Sequence, residues 1–246
     1  MEYVVDAHCH TIISGHAYST MREMARAAHE KGLLALGITE HGPKVPGCMI
    51  NPYYIRNTRM IDRHMEGVEL LLGVEADILN AEGELDVSEH DLSYCDIVIA
   101  SIHKASYDHF DSRVIAENEV MRAYFAVLAN PMVDIIGHPD DGAFAVDFDE
   151  LAKEAKRTGK LLEVNNNSLD PRCSRLNGPE NIRKLLAACR KYEVPVACNS
   201  DSHVDQLVGC HENSYRLFEE IGFPEELVVN ASVDKLKQHL HKFRHP

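Results

Sequence analysis

The run Val68-Glu69-Leu70-Leu71-Leu72-Gly73-Val74-Glu75-Ala76-Asp77 decides the fold class. Its apolar residues fall on both parities instead of alternating, the pattern of a strand covered on both faces inside a parallel sheet. Six further runs share this character, at residues 3–7, 33–39, 96–102, 133–137, 160–166 and 194–199, with a short extra candidate at 227–230. Segments of helical period lie between them, over 20–31, 53–66, 112–129, 149–158, 179–192, 206–221 and 233–243. Lys31-Gly32 and Thr158-Gly159-Lys160 read as helix stops. Seven strands each followed by a helix predict an α/β fold, a closed or nearly closed barrel. No linker, repeat or shift in composition divides the chain, so residues 1–246 are expected to form a single domain.

Composition narrows the partners. The 246 residues carry a net charge of −14, which argues against nucleic acid and against anionic membranes as general partners. No apolar run approaches the roughly 20 residues of a membrane span, and Met1-Glu2-Tyr3-Val4-Val5-Asp6 does not read as a signal peptide. Seven cysteines without CxxC spacing suggest reduced thiols and a cytoplasmic protein. The unusual figure is fifteen histidines.

In β/α barrels the functional site forms where the strands end at their C-terminal edge. The first strand candidate runs into His8-Cys9-His10, with His16 just beyond, and the second into Glu40-His41. The third carries Glu75, the fourth ends at His103-Lys104 and the fifth at His138-Pro139. The sixth ends in Glu163-Val164-Asn165, the seventh in Asp201-Ser202-His203. Residues i and i+2 of an extended segment share a face, so His8 and His10 are expected to converge while Cys9 faces away, and Asp201 and His203 likewise. Imidazole with carboxylate suits zinc, manganese or iron, and nine such groups suit two or three ions, with Glu75 placed to bridge.

These residues, with His16-Ala17-Tyr18-Ser19-Thr20, Gly73-Val74-Glu75-Ala76 and Ser200-Asp201-Ser202-His203, resemble the PHP-domain phosphoesterases, and within them the YcdX-type phosphatases. The resemblance implies a distorted (β/α)7 barrel with three divalent ions, zinc first, at the C-terminal ends of the strands. It implies His8, His10, Glu75 and Asp201 around one ion. Glu75, His103 and His138 would hold the second, and His16, His41 and His203 the third. Glu40 stands where the family usually has Asp, and Asp140-Asp141 lies in a loop where relatives differ.

The implied activity is hydrolysis of a small metabolite's phosphate monoester by metal-bound hydroxide, with Glu75, His103 and Asp201 as catalytic residues. Adjacent divalent ions lower the pKa of bound water to about 7 and neutralise the attacking and leaving oxygens. Three ions would leave the cleft at about +3, attracting a phosphate dianion despite the acidic exterior. Arg172 and Arg175 are candidate phosphate contacts, since a guanidinium grips oxygens in pairs. Alternation points Lys104 away from the metals.

Rival readings are weaker. Cys210 and Arg216 have CX5R spacing, but the residues between them have helical period and no glycine. His239, His241 and His245 read as a solvated helix end. No dinucleotide, P-loop or nucleophile-elbow string occurs. Two alternatives stay open: a phosphodiesterase or exonuclease of the same family, and a non-catalytic metal-binding module.

Overall fold

The computed structural model describes residues 3–110 and 114–243. The elements follow in the order β1 (Val5–Cys9), α1 (Met21–Glu30), β2 (Ala35–His41), α2 (Pro52–Asn57), β3 (His64–Met65), β4 (Val68–Asp77), α3 (Glu89–Leu92) and β5 (Ile97–Ser101). After these come α4 (Glu117–Ala129), β6 (Ile135–Ile136), α5 (Phe148–Thr158), β7 (Leu161–Asn165), α6 (Gly178–Tyr192), β8 (Val196–Asn199), α7 (Glu212–Ile221) and α8 (Val233–Lys237). The parallel path runs β1-β2-β4-β5-β6-β7-β8, and β3 pairs antiparallel with β4 outside it. This is the distorted (β/α)7 barrel that the sequence led us to expect.

Period two inside the barrel sorts residues by height. On β4 the inward parity reads Leu71, Gly73, Glu75, Asp77: apolar below, carboxylates at the mouth. Leu71 packs with Val5, Ala35, Ile97, Ile135, Leu161 and Ala197, and Val229, Leu236 and Leu240 join that cluster. The middle of the barrel is narrow. A Cβ on Gly73 would lie 1.9 Å from the Ile97 carbonyl oxygen, and one on Gly37 would lie 2.3 Å from that of Ala7. The large outer cluster packs α4, α5 and α6 against the outward faces of the strands.

The first and last strands meet at a seam. Instead of a continuous ladder there is one bridge, Cys9 to Ser202, reinforced by side-chain amides. Asn199 Oδ1 accepts from the Ala7 amide at 3.1 Å. Asn230 Nδ2 donates to the carbonyls of Val5 and Cys198 at 3.0 and 2.6 Å, and its Oδ1 accepts from Cys198 N.

Helix ends follow their local chemistry. Thr20 and Glu23 close a capping box on α1, Asp147 caps α5, and Gly159 ends α5 with φ of 69°. The helices expected over 206–221 and 233–243 shorten to Glu212–Ile221 and Val233–Lys237, and three further expectations shift. Strands β1 and β2 extend two residues further than their apolar runs, because the barrel mouth accommodates His8 and His41. The helix expected over 53–66 stops early: Asp62 accepts from His64 N, and Glu66-Gly67, both at positive φ, turn β3 onto β4. The candidate strand at 227–230 forms 3-10 turns with one bridge from Val228 to Val196. Residues 112 and 113 of the helix expected over 112–129, and His245, lie outside the described residues. No helix among the described residues is long and apolar enough to cross a membrane.

Candidate metal centre

A register shift between Asp6 and Cys9 resets the alternation on β1. Val5 and Ala7 therefore face the interior, and His8 and His10 do too, while Cys9 turns outward to Ser200 Oγ at 3.6 Å. A bulge beside a site re-aims side chains in this way. His8 Nε2 and His10 Nε2 lie 3.0 Å apart. Both are close to Glu75 Oε2, at 3.4 and 3.5 Å, and to Asp201 Oδ1, at 3.7 and 3.2 Å. Glu75 Oε1 faces His138 Nε2 at 2.8 Å and His103 Nε2 at 3.4 Å. Its Oε2 faces His41 Nδ1 at 2.8 Å. His16 and His203 meet Nε2 to Nε2 at 3.0 Å. The structure brings all nine expected side chains into one cluster. Three groups within it hold ligand atoms all within 4.8 Å of one another: His8-His10-Asp201, His10-His41-His203 and His41-Glu75-His103.

Asp201 and His203 converge by a different route from the expected one. β8 ends at Asn199, Asp201 has φ of 53°, and the His203 Nδ1–H donates to the Asp201 carbonyl at 3.0 Å. His138 also has a positive φ, 24°. Two of the nine residues thus sit in sparsely populated backbone, as functional sites often require.

Neighbouring acceptors fix the rings. His8 Nδ1–H donates to Glu163 Oε1 at 2.8 Å, and His103 Nδ1–H donates to Asp77 Oδ1. Ser14 Oγ gives its proton to Glu40 Oε2 at 2.6 Å, so it accepts from His10 Nδ1–H and from His41 N–H, each at 3.0 Å. Glu40, held also by Thr11 N and Oγ1, acts through this hydroxyl on the ring of His10 and the backbone of His41. In His8, His10, His103 and His203, Nδ1 carries the hydrogen and Nε2 is turned toward the cluster, as metal-ligating histidines are commonly set.

The donor set fits divalent ions. Glu75 Oε2 and His41 Nδ1 are buried and, although 2.8 Å apart, form no hydrogen bond with each other or with any other described residue, a costly state that a cation between them and their neighbours would relieve. Burial would push Glu75 up, but His8, His103 and His41 hold it well below the carboxylate range. In Asp201 burial is likewise overcome, by His8 and Arg175. Burial lowers His10, His16, His138 and His203, leaving the neutral imidazole that binds metals. His8 and His103 go the other way: their carboxylate neighbours outweigh burial, taking His103 up to about 10.

Comparison with known proteins points the same way. The model of the PHP domain matches residues 6–170. A probable phosphatase of Caldanaerobacter subterraneus subsp. tengcongensis is 42% identical over 245 residues, covering 99% of this chain and 93% of that protein. The chain belongs to the PHP domain family. A probable phosphatase of Acetivibrio thermocellus is 39% identical over 242 residues, covering 98% of this PHP chain and 97% of that protein. In fold it is similar to the histidinol phosphate phosphatase of Lactococcus lactis subsp. lactis, solved with zinc, L-histidinol and phosphate. There the TM-score is 0.60 at 16% identity, covering 90% of this chain and 95% of that one.

Above the PHP cluster opens a cavity of about 320 Å³, lined among others by His16, His103, Lys104, Arg175 and His203. The two candidate arginines part company here. Arg175 is largely buried and donates to Asp201 Oδ2 at 2.7 Å and Ser168 Oγ at 3.1 Å. Arg172 lies outside the lining, 82% exposed and paired with Asp170. Lys104 lines the cavity, against the alternation argument, because β5 ends at Ser101 and the following turn breaks the period. It pairs with Asp141 at 3.2 Å. Asp140 is fully buried, and burial pushes it up to about 7.

Four residues that organise the PHP site lay outside the candidate list: Ser14, Glu40, Asp77 and Glu163. Period two marks two of them. Asp77 follows Glu75 on the inward parity of β4, and Glu163 precedes Asn165 on that of β7. Asn165 Nδ2 donates to both Glu163 and Asp201, at 3.1 Å each. His241 is no free helix end: its amide and Nδ1–H both donate to Asp134.

Proposed function

We propose that the protein is a metal-dependent phosphatase that hydrolyses the phosphate monoester of a small soluble metabolite. The single carrying observation is the cluster of seven imidazoles and two carboxylates around Glu75, in a chain whose relatives are probable phosphatases. In this reading residues 1–246 act as one domain in the cytoplasm and bind three divalent ions. Zinc is the first candidate, supported by the zinc in the Lactococcus protein, and manganese and iron are the others. His8, His10, Glu75 and Asp201 would hold one ion. Glu75 would also hold a second with His103 and His138, and His16, His41 and His203 would hold the third. Such ions supply a water activated near neutral pH and neutralise phosphoryl oxygens. Glu75, His103 and Asp201 are the residues on which catalysis depends. Arg175 and Lys104 offer cationic donors for the remaining phosphate oxygens, and Arg172 a further one at the rim.

Elemental analysis of purified protein should find two to three equivalents of a divalent metal. A panel of phosphate esters should show turnover of monoesters that a chelator removes and added metal restores. Turnover of diesters alone would make it a phosphodiesterase, and metal-replete protein inert on the whole panel would make it a binding module. Replacing Ser14 with Ala takes the acceptor from His10 Nδ1–H. Metal affinity, read by competition with a chromophoric chelator, should fall roughly 10- to 100-fold. Unchanged affinity would remove Ser14 from the account.

A further inference from the structure

The site has a second lobe. A cavity of about 320 Å³ adjoins the one above the metal cluster, and Asn167, Asp201 and His203 line both. The first lobe carries Lys104 and Arg175, whereas among the described residues the second is lined by neither lysine nor arginine and by no aromatic ring except the shared His203. Its own polar groups include Asn166, Asn213 and Glu212. Asn166 is more than nine-tenths buried, and its orientation is set because Oδ1 accepts from Ser214 N at 3.0 Å and Ser214 Oγ at 3.2 Å. Its Nδ2 has no hydrogen bond among the described residues, nor do the side chains of Asn167 and Asn213, and Glu212 forms no ion pair. Asp170, also in the lining, is occupied by Arg172.

One fixed amide donor, on Asn166, beside two further amides and a carboxylate suits groups that both donate and accept, which are hydroxyls. The lack of a cation disfavours a second phosphate or a carboxylate, and the lack of a stacking platform disfavours a nucleobase. We propose that the second lobe, through Asn166, Asn167, Asn213 and Glu212, binds the alcohol half of a polyhydroxylated substrate, so that the class hydrolysed is sugar and polyol monophosphates. This rests on the phosphatase reading and names its substrate.

The test compares kcat/KM for a hexose 6-phosphate and a hexitol phosphate with that for a nucleoside 5′-monophosphate, a sugar bisphosphate and an aryl phosphate. The hexose and hexitol esters should lead by at least tenfold, and Asn166→Leu or Glu212→Lys should cut the ratio of hexose to aryl ester at least tenfold. Aryl hydrolysis with no lead for the sugar esters, or a ratio unmoved in both variants, overturns the subsite and leaves the phosphatase standing. Saturation-transfer NMR with free hexitol reads the lobe without turnover. A signal in the wild type that is lost in Asn166→Leu supports the lobe even if no ester is hydrolysed. The absence of a wild-type signal together with the absence of a sugar preference overturns it.

Discussion

Glu75→Gln should lower turnover of the best phosphate monoester about 10³-fold or more and remove at least one equivalent of bound metal. The side chain is fully buried, and its two oxygens face five imidazoles within 3.5 Å. A carboxylate can serve two ions through two oxygens, and an amide replaces one of those oxygens with a donor. Shape is nearly conserved, so a normal circular dichroism spectrum with lost metal would separate the charge effect from misfolding. Activity within tenfold of wild type, metal content intact, would sink the bridging role.

Glu163→Ala should cost about 3–5 kcal/mol of stability, because it leaves buried donors with no acceptor. Oε1 accepts from His8 Nδ1–H and from Asn199 Nδ2, both at 2.8 Å. Oε2 accepts from His138 N at 2.8 Å and from Asn165 Nδ2 at 3.1 Å. At roughly 2–4 °C per kcal/mol for a chain of this size, thermal unfolding should shift down by about 10 °C. The loss should depend on pH. Burial raises the Glu163 carboxyl, but His8 outweighs it and the folded value lies below the ordinary 4.5. A lowered folded pKa gives stability that is present above the unfolded pKa and lost as pH falls through the folded one. The gap between wild type and Glu163→Gln should therefore be widest near neutrality and narrow in acid. Equal gaps at pH 7 and pH 4 would refute the charge-based account, and a melting shift under 2 °C for Glu163→Ala would refute the structural one.

Much of the site could be read along the chain, since barrel strands deliver their ends to one place. His8, His41, Glu75 and His103 needed only the apolar runs and that rule. What escaped was set by local departures from regularity. The bulge on β1 decides that Ala7 and His8 both point inward, and no residue type announces it. The left-handed backbone at His138 and Asp201, and the turn that returns Lys104 to the cavity, belong to loops in which period two no longer applies. The Glu40-Ser14-His10 relay joins residues from two chain segments and became visible only once β1 and β2 were side by side. Period two places Glu163 inward beside Asn165 but does not reveal its role. Within Leu161-Leu162-Glu163-Val164-Asn165 a single carboxylate reads as a strand residue, and its role comes from the donors that surround it.

The seam between β1 and β8 has a bearing on how the chain matures. Ala7 and Asn199, which hydrogen-bond across it, are 192 positions apart in sequence. His8 and His10 lie on one side of that gap, Asp201 and His203 on the other. An ion held by both sides would act as a clasp on a loop of that length, and the entropy such a clasp removes from the open chain grows with loop length. During synthesis the earliest histidines would wait through most of translation for Asp201, the carboxylate that completes the ligand set proposed for them. In the proposed reading metallation would then be tied to the last stage of assembly, and a chain that had lost its final strand would forfeit its ions together with its closure.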